Sequence, residues 1–429
     1  MSAEGPLRGA RPRARSAHGP IAEPVLVLNC GSSSIKFALF DASIQPLPRT
    51  ALWTGRVEGV GTAQATLSEA DAAPVGVVLG DEAPYHAALQ CVRSSVQHRL
   101  DGRLPAALAH RVVHGGTKYR APVRVNAAVL ADLKSYISLA PLHQLFALQA
   151  IEILLSELPR VPQVACFDTA FHRTLPQVEQ MLPLPYEYWE RGVRRYGFHG
   201  LSYEYMAIAL PERHGYAAHG RTIVAHLGSG ASLCAMHQLQ SVATTMGFSA
   251  LDGLMMGTRG GSLDPGVILH LIEAEHMDAK KLTRLLYRES GLLGVSGVSP
   301  SPKVLLEIEH SDPRARVALG LYVRRIVREI GALTAVLGGL DMLAFTAGVG
   351  EHSAELRERI CGALDWLGVE IDIEANAAHA FTISSAQSRI LVTVEPTNEE
   401  WVAASHAVSM LRSDAPVTAR ASTAMAALA

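Results

Sequence analysis

The chain of 429 residues lacks the features of several protein classes. Its formal net charge is only -2, which argues against a nucleic-acid partner. It has no apolar run of the roughly 18 residues that a membrane span needs, and its N-terminal segment lacks the apolar core of a signal peptide. We therefore expect a globular protein that binds neither membrane nor nucleic acid.

Cysteine is also scarce and scattered. The five cysteines lie far apart, mostly within apolar strand-like runs, at Cys30, Cys91, Cys166, Cys234 and Cys361. An odd, scattered set indicates buried thiols in a reducing compartment rather than a disulfide framework or a zinc site. This pattern predicts a cytoplasmic protein.

The two ends of the chain have few large apolar side chains. Residues 1–23 are rich in Arg, Ala, Gly and Pro, which predicts a disordered extension. An arginine-rich, acid-poor leader is also typical of an organelle-targeting peptide, and a vector-derived sequence or a misassigned start would look the same. Residues 413–429, rich in Ala, Ser and Thr, are predicted to fray.

Between these ends, apolar strand-like runs alternate with segments of helical period such as 267–289 and 317–337. This alternation predicts an α/β fold. Strand-rich stretches near Val25 and near Thr222 each pass through a glycine-rich loop into a second strand. They indicate an internal duplication of a mixed sheet flanked by helices, with a ligand in the cleft between the halves.

Three loops of small residues are candidate phosphate sites. In NCGSSSIK, Ser32 and Ser34 offer hydroxyl donors and Lys36 adds positive charge. The second loop, HLGSGAS, joins two strands, and the third, AGVGEHS, runs from a strand into an amphipathic helix. None is a P-loop or a full dinucleotide fingerprint, and each alone could be an ordinary turn. Three in one chain indicate phosphate binding.

Charged and titratable candidates cluster at apparent strand ends. The strings HRVVHGG, APLHQ, CFDTAFH, RRYGFHG and GTRGGSLDPG supply Arg111, His114, His143, Asp168, His172, His199, Arg259 and Asp264. A lone histidine is usually a core residue and a lone arginine usually a surface charge. Glycines around Arg259 and around Phe198-His199, however, leave room for a ligand at close range.

Taken in order, these strings resemble the acetate kinase family. The matching strings are NxGSSSxK, HRVVHGG, APLH, FDTAFH, RYGFHG, HLGxG, MGTRxGxxDPG, AGxGE and PTNEE, over about residues 25–411. The resemblance implies two RNase H-like domains of the actin and hexokinase-like kind. It places the first at 24–169, completed by a C-terminal helix over 397–412, and the nucleotide-binding second at 170–396.

The family implies reversible transfer of the ATP γ-phosphoryl group to acetate. Because a carboxylate is already ionised at neutral pH, the difficulty is repulsion between two anions rather than proton removal. By the resemblance, Arg111 and Arg259 flank the carboxylate and the phosphoryl group, and His199 donates to the phosphoryl oxygens. Asp168 is expected to orient Arg111 and magnesium-bound water, and His143 to support the site.

The resemblance also implies further ligand contacts. Magnesium, or manganese in its place, is assigned to Asn29 and Glu399. The acyl pocket is assigned to Arg111, Val113, Leu142, Phe198 and Ala250. The nucleotide is assigned to Lys36, His226, Leu227, Gly228, Ser229, Gly230, Ser301, Pro302, Lys303, Gly348, Val349, Gly350, Glu351 and His352, and a homodimer is expected.

Departures from the family pattern cluster on the nucleotide side. Ser229 stands where Asn is usual, Ser301 and Lys303 replace Asp and Arg, and His352 replaces Asn. These changes leave open weaker ATP binding or another donor, such as a different nucleotide or pyrophosphate. Ala250 replaces a usual proline, which leaves room for about one methylene and predicts that propionate is accepted beside acetate. A nucleotide-binding switch without catalysis is the remaining alternative.

Overall fold

The computed structural model describes residues 21–80, 82–140 and 144–413. Leu142 and His143, the extension up to residue 20 and the tail from residue 414 lie outside the described residues. Ala22 and Glu23, at the end of the expected extension, donate backbone hydrogen bonds of 2.9 and 3.0 Å to the Asp41 carboxylate.

Strands in the described ranges form two mixed sheets. The first has the order β5-β4-β3-β2-β1-β6-β8-β7 and contains β1 (Pro24–Cys30), β2 (Ser34–Asp41), β3 (Trp53–Glu58), β4 (Thr66–Glu69), β5 (Ala72–Gly76), β6 (Ala107–Val112), β7 (Val123–Arg124) and β8 (Gln163–Phe167). The second has the order β11-β10-β9-β12-β13 and contains β9 (Thr222–Leu227), β10 (Ala231–His237), β11 (Gln240–Thr244), β12 (Met342–Thr346) and β13 (Leu391–Val394).

The two sheets share one topology. In the first, β1 is antiparallel to β2 and parallel to β6, which is parallel to β8. In the second, β9 is antiparallel to β10 and parallel to β12, which is parallel to β13. The order β3-β2-β1-β6-β8 therefore recurs as β11-β10-β9-β12-β13. The predicted duplication of a mixed sheet is confirmed.

Helices connect and cover the sheets. They are α1 (Pro84–Arg99), α2 (Ala127–Ser135), α3 (Gln144–Glu157), α4 (Gln177–Gln180), α5 (Tyr186–Glu190), α6 (Gly200–His214), α7 (Pro265–Glu273), α8 (Ala279–Arg288), α9 (Gly291–Ser296), α10 (Pro302–Ile308), α11 (Pro313–Leu337), α12 (Ala347–His352), α13 (Ala354–Gly362), α14 (Ile373–Ala377) and α15 (Glu399–Ser413). Short 3-10 turns lie at Ile137–Leu139, Ala170–Thr174, Gly215–His219 and Asp365–Leu367. None of the described helices combines the length and apolar character needed to cross a membrane.

The helical segment expected over 267–289 is interrupted. It forms two helices, α7 and α8, because the Asp278 carboxylate caps a new helix by accepting a 2.7 Å bond from the Lys281 N–H. The segment over 317–337 is continuous. Asp312 caps the N-terminus of α11, Pro313 takes its first position, and Gly338 ends it in the left-handed conformation.

Helix α15, the last in the described part of the chain, packs against β1, β6 and β8 of the first sheet. Its buried face, which includes Val402, Ala403 and Ala407, joins the core on that side of the sheet. The chain therefore returns to its first sheet after completing the second.

Candidate functional site

The site begins at the carboxyl ends of three adjacent parallel strands. Alternate residues of β1, β6 and β8 lie in the core beneath α15, namely Val25, Val27, Ala107, Ala109, Val164 and Cys166. Because side chains alternate between the faces of a sheet, the next members of these series point to the same side. The next alternate residue is Asn29 in β1, Arg111 in β6 and Asp168 just after β8. These three residues lie at or just beyond the ends of the apolar runs.

Arg111 is held between two carboxylates. Its Nε and Nη2 donate bonds of 2.9 and 2.8 Å to Oδ1 and Oδ2 of Asp168, and its Nη1 lies 3.2 Å from Oε2 of Glu399 at the start of α15. Burial opposes the charge of Arg111, but the two carboxylates raise its pKa above the ordinary value. The arginine is therefore fixed as a cation in one orientation.

Glu399 lies in a different electrostatic environment. Burial raises the pKa of its carboxyl above the ordinary value, although Arg111 opposes this and Asp168 adds to it. The exposed Lys36 on β2 acts on Glu399 in the same direction as Arg111. A half-buried carboxylate of this kind gains from a further cation.

Two histidines stack beside this group. The ring centroids of His199 and His226 lie 4.1 Å apart with an interplanar angle of 16°. His199 precedes α6 in the left-handed conformation, with φ of 59°. Burial, followed by nearby positive groups, holds the pKa of His199 well below its ordinary value, and burial and Arg111 lower the pKa of His226 to about 3. Both rings are neutral at physiological pH.

The second glycine-rich loop closes over these groups. A Cβ at Gly230 would lie 2.8 Å from Arg259 Nη2 and 3.1 Å from His199 Nε2. The absence of a side chain at Gly230 therefore lets Arg259 and His199 meet beneath the loop. Arg259 is anchored by a 2.7 Å bond from its Nη1 to the Ala250 carbonyl, and burial lowers its pKa.

The third glycine-rich segment, AGVGEHS, differs from its expected form. Residues 347–352 form the short helix α12 rather than a loop before a helix, and so Gly348 and Gly350 lie within a helical turn. The buried Arg357 donates bonds of 2.8 and 2.9 Å to the carbonyls of Gly350 and Glu351, which fixes the C-terminal end of α12. A Cβ at Gly228 would lie 3.6 Å from the Ala347 Cβ, and so the second and third segments adjoin.

The acyl-pocket residues converge in part. Phe198 and Ala250 belong to one buried cluster, and Val113 packs against it. The Arg259–Ala250 bond places the guanidinium beside this cluster. Leu142, like His143, lies outside the described residues.

The remaining predicted nucleotide residues occupy varied positions. Ser32 and Lys36 are exposed and Ser34 is half-buried at the β1–β2 hairpin. Ser301, Pro302 and Lys303 form the N-terminal end of α10, just after Pro300, whose carbonyl lies 3.0 Å from a Cβ built on Gly257. The Leu227 side chain belongs to the core, whereas Ser229 and His352 are accessible.

Sequence reasoning missed the hydroxyl groups behind the histidines. His199 Nδ1 lies 2.8 Å from Ser232 Oγ, which lies 2.5 Å from Tyr203 Oη. His226 Nδ1 lies 2.8 Å from Ser202 Oγ, which accepts a 2.9 Å bond from Thr397. Ser232 lies in the string HLGSGAS and Thr397 in the string PTNEE. Their place in these two strings was the signal in the sequence that could have identified them as site residues.

The repeated sheet, with charged and glycine-rich segments meeting between its two copies, defines an α/β protein built on two mixed sheets flanked by helices. A model of the acetokinase family matches residues 24–405. The chain belongs to the acetokinase family, as the resemblance predicted.

Individual relatives agree with this assignment. An acetate kinase of Rhodopseudomonas palustris is 47% identical over 391 residues, covering 90% of this chain and 98% of the relative. The crystal structure of Porphyromonas gingivalis acetate kinase matches with a TM-score of 0.80 and 36% identity, covering 91% of this chain and 100% of that one. A propionate kinase from Francisella tularensis matches with a TM-score of 0.82 and 32% identity, covering 90% and 99%.

Proposed function

We propose that the protein is an acetate kinase that transfers the γ-phosphoryl group of ATP to acetate, reversibly and in line. A carboxylate oxygen forms a bond to the γ-phosphorus while the bond from that phosphorus to the bridging oxygen breaks. The electron pair leaves with ADP, and no proton moves. Family membership and the meeting of Arg111, Arg259 and His199 at one place support this reaction.

The observation that carries the proposal is the positive and hydrogen-bonding character of the site. Arg259 and His199 lie together beneath Gly230, and Arg111 acts electrostatically on both histidines. Such groups offset the charge of two anions brought together, the main cost of this reaction.

Asp168 acts on Arg111 in this proposal and not as a base. Both of its carboxylate oxygens accept hydrogen bonds from the guanidinium. The acceptor carboxylate needs no deprotonation at neutral pH. Asp168 therefore orients Arg111, and it would also orient water bound to a magnesium ion.

We assign the metal to Asn29 and Glu399, with magnesium preferred and manganese as a substitute. No cluster of three or more His, Cys, Asp or Glu residues capable of holding a metal occurs in the described ranges. Magnesium keeps several waters and binds through one or two carboxylates plus substrate phosphates. The half-buried Glu399, whose charge is only partly offset by Arg111, fits such an ion.

The three glycine-rich segments divide the nucleotide in this proposal. The NCGSSSIK hairpin faces the transferred phosphoryl group, residues 226–230 follow the phosphate chain, and residues 348–352 with 301–303 face the ribose and base. The changes at Ser229, Ser301 and Lys303 make another nucleotide or pyrophosphate the alternative donor.

We further propose a homodimer, a cytoplasmic location and two domains. Helix α7 exposes 41% of Val267, 57% of Leu269 and 44% of Ile272, a surface that a second copy would cover. All five cysteines are free thiols, which fits a reducing compartment. The domains are 24–169 with 397–412, and 170–396; packing of α15 on the first sheet supports this division.

Arg259→Ala tests the proposal. We expect acyl phosphate formation, measured as the hydroxamate, to fall about 10³-fold or more. Arg328→Ala, on the exposed face of α11, is the control and leaves the rate unchanged. An Arg259→Ala enzyme as fast as the parent overturns the proposal. Assays with acetate, propionate and butyrate, each with ATP, another nucleotide or pyrophosphate, identify the substrates and separate a kinase from a nucleotide-binding switch.

A further inference from the structure

A buried chain of hydroxyl groups leads from the core to His199. Ser232 Oγ lies 2.8 Å from His199 Nδ1 and 2.5 Å from Tyr203 Oη. The Ser232 and Tyr203 side chains are both completely buried, and so water does not supply alternative partners.

The direction of these hydrogen bonds follows from Tyr203. Burial raises the pKa of Tyr203 well above its ordinary value, and so the phenol keeps its proton. Within the described residues, that phenol has Ser232 Oγ as its hydrogen-bond partner. If Ser232 donated to Tyr203 instead, the phenolic O–H would be a buried donor without an acceptor, which is costly. Tyr203 therefore donates to Ser232, and Ser232 donates to His199 Nδ1.

A neutral imidazole that accepts at Nδ1 carries its proton on Nε2. The Nε2 atom is the one that lies beneath Gly230, next to Arg259 Nη2. We propose that Tyr203 and Ser232 are positioning residues that hold His199 as the neutral tautomer with its N–H directed at the transferred phosphoryl group. This inference rests on the proposed function, because it gives that N–H a phosphoryl oxygen to bind. The opposite tautomer would direct a lone pair at an anion.

The same arrangement recurs at the second histidine. Thr397 donates a 2.9 Å bond to Ser202 Oγ, which leaves the Ser202 proton for His226 Nδ1 at 2.8 Å. His226 Nε2 then carries the proton on the side of Gly228, where a Cβ would lie 3.8 Å away. Two stacked, uncharged rings therefore carry their protons on Nε2, on the sides of Gly230 and Gly228, and neither needs to titrate during turnover.

Tyr203→Phe removes the phenolic donor and keeps the ring. We expect kcat to fall about tenfold, with KM for acetate and ATP nearly unchanged, because Ser232 can then point either way. Tyr322→Phe is the matched control. Tyr322 is equally buried, its hydroxyl has no hydrogen-bond partner within the described residues, and its loss leaves kcat unchanged. A Tyr203→Phe enzyme with the parent's kcat overturns the proposal.

Nitrogen-15 NMR of histidine-labelled protein reads the tautomer without any turnover. The parent should show a protonated Nε2 and an unprotonated Nδ1 in the ring whose signals vanish in His199→Gln, and Tyr203→Phe should show a mixture. A protonated Nδ1 in the parent overturns the inference. Failure of the parent to form acyl phosphate contradicts the proposed function instead, and leaves this measurement valid.

The His199→Gln background separates a tautomer effect from a structural effect. A glutamine amide presents an N–H near the Nε2 position and has no tautomer to fix. Tyr203→Phe should therefore cause no further loss of kcat in this background. An equal loss in both backgrounds shows that Tyr203 acts through packing and overturns the proposal.

Discussion

Asp168 accepts N–H···O bonds of 2.9 and 2.8 Å from Nε and Nη2 of Arg111, one on each carboxylate oxygen. A carboxylate engaged in this way fixes the plane and the charge of the guanidinium. The remaining Nη1 points toward Glu399. The Asp168–Arg111 pair therefore fixes the position of the guanidinium charge at the carboxyl ends of β6 and β8.

Asp168→Asn should lower kcat about hundredfold, because the amide offers one acceptor oxygen and no charge to orient Arg111. The pH dependence of kcat should keep its shape, since Asp168 removes no proton. Steady-state kinetics of hydroxamate formation across pH measures both. Asp312→Asn, at the cap of α11, is the control. An acid limb that is present in the parent and lost in Asp168→Asn would show that Asp168 acts as a base.

Gly230→Ala should impair catalysis more than stability. The new Cβ would lie 2.8 Å from Arg259 Nη2, the end of a flexible side chain that can move away. We expect kcat to fall about tenfold or more while the melting temperature stays nearly constant. Gly320→Ala, where a Cβ meets nothing within 4 Å, is the control and should stabilise α11 slightly. Unchanged kinetics would show that catalysis does not depend on the position of the Arg259 guanidinium, and would contradict this prediction.

Ala250→Val should narrow the acyl pocket. The added methyl groups would occupy the room expected for one extra methylene, and so kcat/KM for propionate should fall about tenfold or more relative to acetate. Competing measurements with both acids give the ratio directly. If the parent already used propionate a hundredfold less efficiently than acetate, the idea of an enlarged pocket would be wrong.

Mild acid should destabilise the fold through His172. Burial lowers the pKa of His172 to about 4, while the unfolded chain binds a proton near pH 6.5. The stabilisation is thus complete above about pH 6.5 and is lost as the pH falls toward 4, by about 3 kcal/mol in total. Urea unfolding near pH 7.5 and near pH 5 measures the free energy of unfolding at each pH. Its decrease between the two should be smaller for His172→Gln than for the parent.

The same histidine-to-glutamine change at the exposed His270 of α7 provides the comparison. An equal acid sensitivity in parent and His172→Gln would assign the effect to other groups. Buried His110, whose pKa burial also lowers to about 4, is the next candidate.

The sequence predicted the elements that follow simple periodicity. Runs such as 25–29 and 222–227 became central strands because they are buried on both faces. The short strands β3, β4, β5, β7 and β11 were not predicted. Exposed, polar edge strands have little apolar pattern to find, and β5 is exposed along its length.

The candidate site was predictable where residues follow strands. Arg111 and Asp168 stand at or just after apolar runs, and parallel strands bring such positions to one edge. The hydroxyl chains behind His199 and His226 were not predictable, because Tyr203 and Thr397 come from segments that meet only in the folded chain. Roles for Asn29, the nucleotide residues and the metal remain predictions.

The placement of α15 has a consequence for biosynthesis. Glu399 reaches Arg111 only when α15 docks on a sheet whose strands are synthesised long before it. A nascent chain therefore holds an unfinished cleft until residues 399–413 have been synthesised. Premature truncation anywhere before this helix removes one wall of the reaction centre together with part of the core that supports it.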